Sequence, residues 1–140
     1  MKRDPRLRGL SSQHHHALVL SRRLADFASS GSWRAKDAAL LGDEFDHNID
    51  PHFRVEEEVL LPRLRQSGWT LLVERTEADH AFLRATVAAA RRGDVAAALA
   101  FARRLREHVR FEEGELFPTC EDILGNNVLG EAARRSKEQR

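Results

Sequence analysis

One cysteine, Cys120, occurs in the 140 residues, so no disulfide can form within the chain. That usage fits a reducing compartment. The near-balance of 23 Lys+Arg against 22 Asp+Glu removes the electrostatic ground for a nucleic-acid or anionic-membrane partner. No run approaches the roughly 20 apolar residues of a membrane span. The opening Met1-Lys-Arg-Asp-Pro5 lacks the apolar stretch of a signal peptide, and a cytoplasmic location is expected. No strand-type alternation competes with helical periodicity anywhere. What remains is a helical chain with 41% hydrophobic and 32% charged residues, of a length that suits a single domain over 1–140.

Histidine is the residue in excess. Seven occur: His14, His15, His16, His47, His52, His80 and His108. The first three are too few and too internal to be a purification tag. One phrase containing histidine is written twice. His52-Phe-Arg-Val-Glu56-Glu57-Glu-Val-Leu60-Leu-Pro62 returns as His108-Val-Arg-Phe-Glu112-Glu113-Gly-Glu-Leu116-Phe-Pro118, a constant 56 residues later. The His, Arg, both Glu, Leu and Pro positions are shared. A spacing of four puts His and Glu side by side on one helix face.

Four amphipathic segments account for most of the chain. The first runs from about Leu10 to Ser29, with Leu10, His14, Ala17, Ser21, Leu24 and Ala28 in its stripe and Ser11 or Ser12 as its cap. The second covers about 34–64, with the stripe Ala38, Leu41, Phe45, Asn48 or Ile49, His52, Glu56 and Val59; Pro51 inside it should kink or split the helix. The third covers about 69–91, with Val73, Thr76 or Glu77, His80, Leu83 and Val87 on one face. Gly93 suits its terminator and Asp94 the next N-cap. The fourth runs from Asp94 to about Phe117 through Ala98, Ala102, Leu105, His108, Glu112 and Glu115 or Leu116. Short loops between such segments imply an all-α, antiparallel up-down-up-down four-helix bundle over about 10–118. The 56-residue offset makes it two related hairpins. The tail 119–140 carries a short apolar patch that can fold back as a helix, with a frayed end from Glu131. Trp33 and Trp69 are expected over one end of the bundle.

His14, His52, His80 and His108 each sit where a stripe asks for an apolar residue, one per helix, and Glu56 and Glu112 add two buried carboxylates. Uncompensated carboxylates in a small core cost several kcal/mol. One pair alone reads as a local ion pair. Two copies, with stripe histidines on the other two helices, read as six ligands around two metal ions, the carboxylates bridging and the imidazoles terminal. Mixed imidazole and carboxylate donors suit iron, manganese or zinc, and the lack of thiolates argues against finger-type zinc.

These residues resemble the hemerythrin-like proteins, the HHE cation-binding domains, over roughly 10–118. The doubled His-x-x-x-Glu-Glu-x-x-Leu-x-Pro phrase is similar to that family's second and fourth helices. Gln13-His14-His15-His16 is similar to its first-helix ligand region, and Asp79-His80 to its third. The resemblance implies a non-haem di-iron centre, two iron ions that an oxo or hydroxo group can bridge. It implies Glu56 and Glu112 as bridges and His14, His52, His80 and His108 as terminal ligands. The implied partner is a small molecule such as dioxygen; nothing in the sequence specifies a protein partner.

The chain departs from the oxygen carriers. They place two histidines four apart on the third helix, where Thr76 and Arg84 flank His80, so one ligand is missing unless Glu77 substitutes. They carry Asp five residues after the fourth-helix histidine, where this chain has Glu112 at four. Binding or sensing of iron, oxygen or a related ligand therefore stands ahead of reversible carriage. A di-iron oxidase, peroxidase or ferroxidase is the enzymatic alternative, although ferritin-like enzymes use Glu-x-x-His rather than His-x-x-x-Glu. His15 rivals His14 but aligns with Arg22 rather than with the stripe. His16 and His47 read as surface residues able to buttress a ligand, and Glu57 and Glu113 as exposed.

Overall fold

The computed structural model describes residues 2–31 and 33–138, and among these it is all-helical. A 3-10 turn, Pro5–Leu7, leads into α1, Arg8–Ser29. Asp4 caps that turn by accepting from the Arg6 N–H, so the chain becomes helical before Ser11 and Ser12, the expected caps. Helix α2 covers 35–66 as a succession of α and π turns. Helix α3 is Thr70–Arg91 and α4 covers 95–123. Helix α5, Asn126–Glu138, closes the described chain. Gly68 and Gly93 take φ of 91° and 99° in the loops that end α2 and α3, where a side chain would be strained. Asp94 accepts from the Ala97 N–H at 3.0 Å and caps α4, as its type and place predict.

Pro51 neither splits nor frays α2. A π turn, Phe45–Ile49, lies just ahead of it, and Asp50 N–H reaches back five residues to the Phe45 carbonyl. The device recurs twice: Leu61 N–H bonds Glu56 O before Pro62, and Phe117 N–H bonds Glu112 O before Pro118. Proline has no N–H and its ring presses on the carbonyl four residues back. A wider turn directly upstream accommodates both demands without ending the helix. For this reason α4 does not stop at Phe117 but continues to Ile123. Each of the last two π turns begins at the repeated glutamate.

Two apolar clusters fill the interior. One joins Leu7 and Leu10 to Val59, Leu64, Val73, Leu116 and Phe117; the other joins Ala17 and Leu24 to Leu41, Phe53, Leu83, Ala90, Phe101 and Leu105. The start of α1 therefore meets the end of α2, the start of α3 and the end of α4, as consecutive helices of alternating direction require. Helix α1 packs on α4, α4 on α3 and α3 on α2. Trp33 packs against the second cluster, whereas Trp69 is exposed beside Leu64 and Val73 of the first, so the two tryptophans stand at opposite ends. The tail is better ordered than its composition suggests: Leu129, Ala132 and Ser136 are buried where α5 packs on the Pro5–Leu7 turn, α1 and α2. Leu129→Ala should cost roughly 2–5 kcal/mol in urea unfolding, as for other large-to-small core changes; a change under about 0.5 kcal/mol would show α5 to be loosely attached.

Candidate metal centre

A polar layer separates the two apolar clusters. It consists of His14 from α1, His52 and Glu56 from α2, His80 from α3, and His108 and Glu112 from α4, all buried, with both carboxylates at 0% exposure. Each helix delivers its residue through the stripe read from the sequence, and the (i, i+4) spacing sets His52 beside Glu56 and His108 beside Glu112.

The six side chains form two four-donor groups that share both glutamates. His14, His52, Glu56 and Glu112 make one, and Glu56, His80, His108 and Glu112 the other, with the donor atoms of each group within 4.8 Å of one another. Each glutamate divides its oxygens between the groups. Glu56 Oε2 lies 3.1 Å from His52 Nε2, and Oε1 lies 3.0 Å from His80 Nε2. Glu112 Oε1 lies 2.7 Å from His14 Nε2, and Oε2 lies 2.9 Å from His108 Nε2. All four imidazoles present Nε2 inward.

Their outward Nδ1 atoms are all held. Glu113 holds His14 at 2.6 Å, Gln13 holds His52 at 2.7 Å, Glu57 holds His80 at 2.7 Å and Asp79 holds His108 at 2.9 Å. Such anchors fix the tautomer and aim the ring. Arginines steady the three carboxylates: Arg3 reaches Glu113, Arg84 reaches Glu57 and Arg104 reaches Asp79. Rings also stack, His80 on Phe53 at 3.9 Å and His14 on Phe117 at 5.1 Å between centroids.

Protons show how strongly this layer demands cations. Burial opposes charge on His52, but the Glu56 charge and hydrogen bonds to Glu112 and Glu56 outweigh it and carry its pKa up to about 10. Against the same opposition, bonds to Glu112, Glu56 and Glu57 carry His80 up to about 11, and the Glu112 charge with the Asp79 bond carries His108 up to about 9. Glu112 is held well below the carboxylate range: burial works against it, and His108 is its strongest support. Four buried atoms, Glu56 Oε1, His80 Nε2, His108 Nε2 and Glu112 Oε2, meet in pairs at 3.0 and 2.9 Å without good hydrogen-bond alignment. Native interiors rarely leave such atoms so poorly paired. A cation shared by these atoms would take the place of the protons.

A family model, the hemerythrin HHE cation-binding domain, matches residues 7–120. The chain belongs to the hemerythrin HHE family. No curated protein and no solved structure gives a significant match. In this HHE domain His14, not His15, points into the layer, and His15 is exposed. Glu77 does not replace the missing third-helix ligand: it is exposed and pairs with Arg65 at 2.8 Å. Thr76 is the buried residue one turn before His80, and its hydroxyl donates to Leu72 O. His16 and His47 bond Glu44 and the Asp43 carbonyl on the surface, away from the layer. The buttressing role expected of them falls instead to Gln13, Glu57, Asp79 and Glu113. Glu57 and Glu113 are half-buried rather than exposed. Cys120 is buried, and burial, reinforced by the Glu56 and Glu112 charges, raises its pKa and keeps the thiol protonated and unreactive.

A cavity of about 20 Å³ adjoins His14, His52 and His108, roofed by Ala17, Asn48, Ile49, Phe53, Leu105 and Val109. It holds one water-sized molecule. No helix among the described residues is long and apolar enough to cross a membrane.

Proposed function

We propose that the HHE layer binds two metal ions, iron by the chemistry of its donors and its family, and that a ligand the size of dioxygen binds or is sensed there. The observation that carries this is the division of each buried glutamate between two histidine pairs. His14 and His52 would hold one ion, His80 and His108 the other, with Glu56 and Glu112 shared. Two ferrous ions side by side supply two electrons to one small oxidant. The protein's own part is to aim four Nε2 atoms, to offset half of the ions' charge with two carboxylates, and to exclude bulk water between two apolar clusters. The 20 Å³ cavity favours binding over enzymatic oxidation of an organic substrate, which it has no room to admit. The single buried Cys120, which has no intrachain partner, favours a cytoplasmic setting.

Reconstitution under nitrogen with ferrous iron tests the reading. Two irons per chain are expected, with new charge-transfer absorption in the near ultraviolet and visible on admitting air. Absence of stoichiometric iron would refute it. Repeated turnover of peroxide, instead of one stoichiometric oxidation, would favour the enzymatic alternative.

A further inference from the structure

Building on the two-ion reading, we propose that the two positions are unequal: the His80/His108 position fills first and holds its ion more tightly, and Gln13, an uncharged anchor where the other half has a carboxylate, is the positioning residue of the weaker one.

The first argument is a break in the pseudo-twofold arrangement. Asp79 directly precedes His80 and holds His108 of the neighbouring helix; Gln13 directly precedes His14 and holds His52 in the same way. Where one half of the molecule carries a carboxylate, the other carries an amide. Both imidazoles of the His80/His108 position thus lean on carboxylates, Glu57 and Asp79, whereas the His14/His52 position has only Glu113. A carboxylate accepting the Nδ1–H makes the ring a stronger donor and adds negative charge near the ion. An amide oxygen accepts the bond but brings no charge. Arg84, Arg104 and Arg3 temper all three carboxylates, so they do not reverse the ranking.

The second argument concerns what each position does without an ion. At the first, His14 Nε2 bonds Glu112 Oε1 at 2.7 Å and His52 Nε2 bonds Glu56 Oε2 at 3.1 Å. Its donors satisfy one another. At the second, His80 Nε2 and Glu56 Oε1, at 3.0 Å, and His108 Nε2 and Glu112 Oε2, at 2.9 Å, form ion pairs of poorer hydrogen-bonding orientation. Losing an ion from the first position restores well-aligned internal bonds; losing it from the second leaves its donors to poorly aligned ion pairs. The small cavity borders both imidazoles of the first position.

Gln13 is suited to its place because its amide nitrogen donates to the Ser136 carbonyl of α5, 3.3 Å away, while its oxygen serves His52 at 2.7 Å. A carboxylate would set two oxygens against each other there. Helix α5 lies beyond the family-matched residues 7–120, and Gln13 ties the weaker position to it.

Cobalt(II) alone, titrated anaerobically into metal-depleted full-length protein with a competing chelator, tests the proposal by heat and visible absorption. The parent should show two steps at least about tenfold apart in Kd. Gln13→Ala should weaken the weak step about 10- to 100-fold and leave the tight step unmoved, the usual span for lost ligand anchors. Gln13→Glu should strengthen the weak step while loosening α5, and Asp79→Asn should weaken the tight step. Thermal unfolding of the metal-depleted Gln13→Ala variant, unchanged within a few degrees, would show that the effect is not general destabilisation. Two indistinguishable Kd values in the parent, or a Gln13→Ala effect on the tight step, overturn the inequality alone. No cobalt uptake overturns the two-ion reading beneath it as well.

Discussion

The variant Glu56→Gln/Glu112→Gln is expected to lose both metal ions at once, from two per chain to none, while its metal-depleted form loses much of the alkaline decline in Tm expected of the metal-depleted parent. The two halves of that result share one cause. Each glutamate serves both positions, so neither survives without the pair. The same two carboxylates keep His52, His80 and His108 protonated in the metal-depleted parent, so without them that pH-dependent stabilisation goes. Glutamine retains the volume and the acceptor oxygen. Elemental analysis and thermal unfolding after chelation measure the two halves separately. Retention of even one tightly held ion would contradict the shared-carboxylate geometry. An alkaline decline as steep as the parent's would mean that groups other than these glutamates hold the imidazole protons. In the parent, loading is itself stabilising: an ion present at a hundredfold excess over its Kd adds about 2.7 kcal/mol.

The second large effect is on pH dependence. In the metal-depleted protein His52, His80 and His108 hold protons far more tightly than the ordinary 6.5, with values of about 10, 11 and 9. Raised folded-state values mean that this stabilisation is complete below about 6.5 and is lost as pH rises through 9 to 11. On the acid side Glu57, held down to about 2 against burial by His80 and Arg84, contributes stability that is present above 4.5 and fades towards pH 2. The metal-depleted protein should therefore be most stable between about pH 4.5 and 6.5, with Tm falling steadily on the alkaline side. Metal ions replace those protons, so uptake releases protons and affinity climbs with pH. The loaded protein should show no alkaline decline up to about pH 9. Parallel Tm curves for loaded and depleted protein would exclude protons and metal from competing for one set of atoms.

The fold and the six inward residues are legible in the sequence because periodicity of 3.6 exposes them. His14, His52, His80 and His108 interrupt apolar stripes, and an interruption of that kind is visible without coordinates. The anchors escape notice for the same reason. Glu57 and Glu113 lie about 100° off the stripe, and Gln13 and Asp79 precede their stripe histidines. Residues off a stripe read as solvent-facing, but in a bundle the flank of one helix faces the next, and Glu57 spans from α2 to His80 on α3. One signal does exist: Glu57 and Glu113 recur in both copies of the phrase although neither lies on the stripe. The prolines mislead because a helical wheel allows only α turns. Each π turn inserts a residue and rotates the downstream part of the helix, which is how Val59, Leu60, Leu61 and Leu64 can all be buried. The tail is easily underestimated because Glu131 to Arg140 is charged, although Leu129, Ala132 and Ser136 recur every three or four residues.

Each four-donor group draws on three helices and on both hairpins: α1, α2 and α4 for one, α2, α3 and α4 for the other. Neither half of the polypeptide therefore carries a complete four-donor set by itself. A nascent chain emerging from the ribosome has no complete coordination set until the last of its long rods has docked. Capture is thus a certificate of finished assembly, and a half-made copy lacks the full set of donors for a cation.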